Sequence, residues 1–489
     1  MANDYKTNFV KNNVLTIIWY AFSTLQGLIL LPVLIKNFGI TVYGGYVLLK
    51  TGVEFLCVIS SLGVGFKYKR FVPSTKDPQE QNKLFYPQFF FQLYVLMIIF
   101  ALLMGLDGFV KGTIYHNDIT FSMGLICLVI LMKFMSGQIA HFFRYTHRIN
   151  ILIYSAIVNS VLLVLFALIG FFVFKVKNIN VVLQAEIYSS LIAYSYVTVK
   201  LLREIGFSFP VLKVKQIVED IKLGIPLILS YILEFIMYSS DRYIIGGLMS
   251  ASAVGLYSPA HSVGGVIGVV PKALNMSLLP SLARANDEKK EHEVKNTLHY
   301  SIKLFLVVAI PFITGSLVVG KDILVLLANW QVAEAAFWCI PFIALGVLFF
   351  GINLILTNLL LVQLRTKILF YVNIISGATS LALNLIFISI YKNILVAAIT
   401  SFVSFFISFN IINTTVKRHF KFTYGIKEIS KFILSSILMG IVMHFVRWYY
   451  HNLLWTILAG ITSYIIFLFT VRSFSQKELH YIRALFRAK

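Results

Sequence analysis

Nine ionisable side chains interrupt otherwise apolar stretches of this chain. Five are basic (Lys50, Lys133, Arg242, Lys272, Lys303) and four are acidic (Glu54, Glu186, Glu234, Asp241). Charge in such surroundings is costly, and it is retained where it faces a cavity, a partner or a translocation path. Glu234, Tyr238 and Asp241 lie four and then three residues apart, which puts them on one face of a helix, with Arg242 one position around. A stripe of this kind can bind or gate a polar cargo through Asp241 and Arg242, while Glu234 carries a proton. The competing reading is an ion pair that only locks helices together. Lys50 and Glu54 stand at i and i+4, a spacing at which they can simply neutralise each other. Lys133 stands alone in the middle of its block and asks for an anion, which a lysine holds as a point charge. His261 and Lys272 are eleven residues apart, hence on one face of an uninterrupted helix. Lys303 lies close to a helix end, where snorkelling of its long side chain explains it. Glu186 falls near the opposite interface, and Glu334 at a helix end, where water solvates it.

The elements that must position these groups are membrane helices. The chain of 489 residues is 58% hydrophobic and only 13% charged, against about 25% charged in soluble domains. Its apolar residues come in blocks of about twenty, the length that crosses the hydrocarbon core. The block 14–35 carries no charge at all and no small-residue cleavage site, so it reads as a retained helix. Helices are expected at 14–35, 43–66, 84–104, 119–141, 150–173, 181–201, 221–247, 253–281, 298–319, 333–360, 368–390, 394–416, 430–449 and 453–472. Prolines inside them (Pro32, Pro226, Pro271, Pro311, Pro341) are tolerated because neighbours re-satisfy the freed backbone groups.

Loop charge gives these fourteen helices a direction. Counted alternately, thirty Lys and Arg residues fall on the side of both chain ends and seven on the other. Cytoplasmic loops are enriched in Lys and Arg, so both termini are expected in the cytoplasm. The same rule accounts for the net charge of +22 without nucleic acid as a partner. Cys57, Cys127 and Cys339 have no CxxC or His spacing and read as packing residues, so no metal site is expected. No GxxxxGK loop is present and no cofactor is expected. Energy for transport would come from an ion gradient, the membrane potential or a partner.

A weak internal repeat runs through the chain. Val42-Tyr43-Gly44-Gly45-Tyr46 is echoed 211 residues later by Ala253-Val254-Gly255-Leu256-Tyr257. Ile151-Leu152-Ile153-Tyr154 matches Ile368-Leu369-Phe370-Tyr371, and Lys175 matches Lys392, both at an offset of 217. Two six-helix halves of equal direction, 1–205 and 206–420, plus an appended pair in 421–489, are the expected organisation.

Several motifs stand in a familiar order: Leu31-Pro32-Val33-Leu34-Ile35-Lys36-Asn37-Phe38-Gly39, Leu223-Gly224-Ile225-Pro226-Leu227, Asp241-Arg242-Tyr243-Ile244-Ile245-Gly246, Val254-Gly255-Leu256-Tyr257-Ser258-Pro259-Ala260 and Leu279-Pro280-Ser281-Leu282-Ala283. Together they resemble the polysaccharide transporter family, the Wzx-type flippases of O-antigen and capsule synthesis. The resemblance implies an all-α membrane protein of the multidrug/oligosaccharidyl-lipid/polysaccharide exporter superfamily. Two six-helix bundles would form a V-shaped cavity enclosed by the first twelve helices, with the last pair at its side. It implies a polyprenyl-diphosphate-linked oligosaccharide as cargo, in the bacterial cytoplasmic membrane. Membrane lipid, a coupling proton or sodium ion, and a glycan polymerase with a chain-length regulator are the partners such a protein would have. A lumen lined by Asp241, Arg242, Glu234, Tyr238, Lys133, Lys272, His261, Lys50 and Glu54 would meet the phosphates. Lipid II flippases typically carry charge in the first helix, whereas this one has none and offers uncharged polar residues such as Ser23, Thr24 and Gln26. That departure favours polysaccharide over peptidoglycan precursors.

A cation-coupled multidrug exporter of the same superfamily is the competing function. A membrane glycan polymerase or ligase would need a large outer loop with catalytic Arg or His, and the longest outer loop is about 105–118, so no enzyme is expected. The Phe89-Phe90-Phe91 run can stack on sugars, although core or lipid-facing packing is its ordinary role.

Overall fold

A computed structural model describes residues 22, 24, 26–62, 68, 72, 75, 77–114, 120–146, 148–174, 178–210, 214–363, 365–420 and 424–473. Among these, the regular elements are all helical and no strand occurs. The helices are α1 (Gln26–Phe38), α2 (Ile40–Ser60), α3 (Pro78–Gly105), α4 (Met123–Tyr145), α5 (Ile149–Leu168), α6 (Asn180–Ile205), α7 (Val214–Leu248) and α8 (Ala251–Gly264). They continue as α9 (Val269–Asp287), α10 (Glu291–Leu327), α11 (Trp330–Ala336), α12 (Cys339–Val362), α13 (Thr366–Tyr391), α14 (Ile394–Phe420), α15 (Ile426–Tyr450) and α16 (Leu453–Thr470). Eleven helical spans among the described residues are long and apolar enough to cross a membrane. The first part of the block 14–35 lies outside the described residues.

Two helices exceed by the most the lengths that hydropathy alone predicts. The 37 residues of α10 would span about 55 Å, well beyond a hydrocarbon core of about 30 Å. Its polar first turns, with Glu291 and Glu293 at the dipole's positive end, extend the helix past the apolar block. α7 likewise begins seven residues before its apolar stretch.

By packing, the chain forms two compact units: residues 1–259 with 367–404, and residues 260–366 with 405–489. In the first unit α5 lies along α6, α4 against α6, and α2 against α7. The closest approach is made by glycine. A Cβ on Gly44 would sit 1.8 Å from the Ala251 carbonyl oxygen, and one on Gly255 would sit 2.0 Å from that of Ile40. Ile40 and Ala251, like Gly44 and Gly255, are 211 residues apart, so the contact is reciprocal. Only glycine lets two backbones meet this closely.

The aromatic run of α3 packs within this unit. Phe89 stacks on Phe85 and lies 5.4 Å from the Phe134 ring, and Phe90 lies 5.2 Å from the Phe209 ring. Tyr86 donates to the Gly206 carbonyl and Asn82 to that of Ile205, tying the end of α6 to α3.

In the second unit α9 and α12 pack together, and α15 lies along α10 with α16 behind it. The α10–α15 pair is parallel and in register. Lys303 meets Glu428, Asp322 meets Arg447, and both pairs are 125 residues apart. Between them Gly440 packs on Thr314, and Gly315 faces Met439 and Met443. Cys127 and Cys339 are buried and Cys57 half-buried, all three as free thiols.

Candidate functional site

Helical periodicity brings charges to one side of α2, and three other helices of the first unit complete the set. Glu54 lies fourteen residues into α2, about 21 Å along it, and its side chain points back towards the helix start. Lys133, ten residues into α4, places its Nζ 3.9 Å from Glu54 Oε1 and 3.8 Å from Glu186 Oε1 of α6. The lysine expected to stand alone is therefore bracketed by two carboxylates. Sequence spacing could not show this, because the partners are 79 and 53 residues away. Both separations exceed the 2.7–2.9 Å or so of a direct charge-assisted hydrogen bond. The ammonium is held loosely, between an 11% exposed Glu186 side chain and a 54% exposed Glu54.

Lys50 does not simply serve Glu54. Its Nζ lies 6.0 Å from the ring centroid of Tyr46, one turn earlier on α2. Tyr46 is buried, its hydroxyl has no hydrogen-bond partner, and it feels the charges of Glu186, Lys133 and Glu54. Arg242 of α7 brings a further cation within electrostatic reach of Glu54, beside Asp241, Tyr257 and Tyr238. Phe55 and Phe235 stack with centroids 4.9 Å apart and bind α2 to α7 alongside these charges.

Asp241 plays a more fixed part. It is buried, its Oδ2 accepts the Tyr257 hydroxyl at 2.7 Å, and its Oδ1 accepts the Arg242 backbone N–H at 2.8 Å. The pair pins the end of α7 to α8. Glu234 and Tyr238 follow on the same face of α7, both half-buried. Asp241 and Arg242 thus diverge in role although they are adjacent in sequence.

His261 and Lys272 do not share a face as eleven-residue spacing suggests. The 3₁₀ turn Gly265–Gly268 intervenes. Each of its four residues advances about 120° instead of about 100°, so the two positions drift apart by roughly 80°. His261 is buried at the end of α8, and Lys272 is half-buried in α9.

The second unit holds a different cluster. Lys303 Nζ donates to Glu428 Oε1 at 3.0 Å, and His299 Nε2 lies 2.9 Å from Glu428 Oε2. The Lys303 side chain is only 6% exposed. Snorkelling does not account for it, since the ammonium is buried and met by a carboxylate on another helix. Glu428, in the first turn of α15, and His299, at the edge of the apolar part of α10, stand where hydropathy gives no signal. Tyr46 and Glu186 are the residues of the first cluster that spacing undervalued. The offset of 211 that makes Tyr46 the counterpart of Tyr257 was the available clue.

A helical membrane protein with a loosely paired, mixed-charge cluster among its spans is built like a transporter. The chain belongs to the polysaccharide biosynthesis protein family, whose profile matches residues 9–286. The MatE profile matches residues 226–390. A Shigella flexneri protein named as an O-antigen transporter is 22% identical over 63% of this chain and 73% of its own length. A Haloferax volcanii protein named as a probable flippase, AglR, is 34% identical over 86 residues, and the match spans 18% of each chain. In fold, the chain is similar to the lipid II flippase MurJ in an inward closed conformation. The TM-score is 0.71 at 15% identity, covering 95% of this chain and 99% of that one.

Proposed function

We propose that the chain moves polyprenyl-diphosphate-linked oligosaccharide repeat units across the bacterial cytoplasmic membrane by alternating access, supplying surface polysaccharide synthesis. It acts as a transporter and not as an enzyme. Membership of the polysaccharide biosynthesis protein family over residues 9–286 carries this reading. The relative named as an O-antigen transporter supports the same cargo class. Both termini lie in the cytoplasm, and residues 1–205 and 206–420 are the two repeated halves, with 421–489 outside the repeat. The reciprocal contact of Gly44 and Gly255 supports that symmetry, since related segments meet through related residues.

Lys133, Glu54, Arg242, Lys50 and Tyr46 are the groups offered to cargo, while Asp241 holds α7 to α8. Glu234, Tyr238, His261 and Lys272 are further candidates to meet the cargo. A proton or sodium ion couples the cycle, and a glycan polymerase with its chain-length regulator takes the product.

Deleting the gene should abolish surface glycan and leave lipid-linked repeat units in the inner leaflet, read by protease- and glycosidase-free lectin labelling of intact cells against spheroplast lysates. Normal surface glycan with drug hypersensitivity would instead favour a cation-coupled multidrug exporter. The MatE match over residues 226–390 is the observation behind that second reading.

A further inference from the structure

The two repeat-related tyrosines are treated differently. Tyr257 has Asp241 as its partner, whereas Tyr46 has none. Subtracting 211 from Asp241 gives position 30, which is a leucine, so the first half has nothing to satisfy its tyrosine. A buried hydroxyl left unpaired costs about 1–3 kcal/mol, which is unusual enough to require a reason. Tyr46 stands beside Lys133, Glu54 and Glu186, whose formal charges sum to −1. The lysine is bracketed at distances that leave its N–H groups free to turn to another acceptor.

We propose that Tyr46, Glu54, Lys133 and Glu186 form a proton-gated subsite for a phosphate-type anion. It deepens the flippase reading and rests on it. With both carboxylates ionised, an incoming anion meets two negative charges and one positive. One proton taken from solvent by Glu54 or Glu186 makes the triad neutral. Lys133 then turns to the anion, and the Tyr46 hydroxyl donates to it. Among the described residues, Lys50 on α2 stands over the Tyr46 ring, and Arg242 on α7 lies within electrostatic reach of Glu54 with Asp241 beside it; both cations favour the anion. Tyr243 on α7 and Cys57 on α2 also face it and serve as neutral walls. Proton and anion therefore bind together, and anion affinity rises as pH falls. A unit charge about 6 Å away changes a binding constant about a hundredfold at an effective dielectric of about 20. The partial exposure of Glu54 reduces this, so at least about tenfold is expected.

The test uses the full chain in lipid nanodiscs with inorganic sulfate, a dianion whose own charge is constant across the range. Apparent affinity, read from thermal stabilisation, should be at least about tenfold tighter near pH 5.5 than near pH 8.5. Glu54→Gln with Glu186→Gln should bind tightly at both, and Lys133→Met should lose the stabilisation. Tyr46→Phe should weaken binding severalfold at every pH. A wild-type affinity that does not change with pH overturns the proposal, as does a double variant with wild-type pH dependence. So does stabilisation that survives Lys133→Met in protein of normal melting temperature. These outcomes are separate from the function itself. Wild-type protein that flips lipid-linked glycan in vesicles but shows no such pH dependence would sink the subsite and spare the flippase. An intact subsite in a protein that moves no glycan would do the reverse.

Discussion

Two clusters in this molecule contain the same chemical types, a lysine met by a glutamate of another helix, and differ in every consequence. In the first unit Lys133 lies 3.8–3.9 Å from two carboxylates, with Glu54 54% exposed. In the second, Lys303 lies 3.0 Å from one carboxylate and is 6% exposed, and His299 takes the other oxygen of Glu428. A short, buried pair is joined by a direct hydrogen bond and serves to hold α10 to α15. A long, open, carboxylate-rich arrangement has capacity to spare and a charge imbalance that a proton or a ligand can remove. Distance and stoichiometry therefore separate a fastening from a site.

The other end of the same helix pair strengthens the contrast. Arg447 donates to Asp322 at 2.9 Å and also to the Val318 carbonyl. The two fastenings are nineteen residues apart on each helix, about 28 Å, which is close to the thickness of the hydrocarbon core. Between them the glycine contact of Gly440 with Thr314 lets the backbones approach. α15 is thus held to α10 along most of its length.

The largest effect should come from breaking the tight cluster. Glu428→Ala leaves the Lys303 ammonium buried without its carboxylate and should cost about 3 kcal/mol, the low end for a buried pair because Glu428 is one-third exposed. Thermal unfolding in detergent would show it as a fall of several degrees. Lys303→Met added to Glu428→Ala should recover part of the loss, since no unpaired charge then remains. Asp322→Asn, at a pair about one-third exposed on both sides, should cost about 1 kcal/mol in the same assay.

Lys133→Met should cost less stability than Glu428→Ala while sharply lowering flipping in vesicles, because at 3.8 and 3.9 Å it has no direct hydrogen bond to a carboxylate to lose. If Lys133→Met proved as destabilising as Glu428→Ala, the two clusters would be one kind of thing and the comparison would fail. Lys50→Gln should have the smallest effect, a modest loss of transport with unchanged melting, since its contact is with a ring centroid 6.0 Å away.

Much of the fold could be read from the chain. Hydropathy located the spans because crossing a bilayer demands about twenty apolar residues in sequence, a local requirement. The pairing of Gly44 with Gly255 was foreshadowed by the repeated Tyr-Gly and Val-Gly turns, although not their contact. The site was half legible. Lys133, Glu54 and Arg242 announced themselves as charges among apolar residues, yet their grouping did not. Lys303 reads from sequence as a snorkelling side chain, because its partner Glu428 lies 125 residues away. The face shared by His261 and Lys272 was lost to a four-residue 3₁₀ turn, whose Gly-Val-Ile-Gly composition does not distinguish it from α-helix.

What the amino-acid order determined by itself was the succession of apolar blocks that makes an all-helical membrane protein, and which charges had to be explained. These are properties of single segments and their neighbours, and the transfer energies behind them act residue by residue. Only the tertiary structure decided which charge meets which. A helix reports on residues three and four positions away, whereas the partners of Lys133 are 53 and 79 positions off and that of Lys303 is 125. Whether a buried lysine is a fastening or a site depends on those partners' distance and number, and helix packing alone sets both.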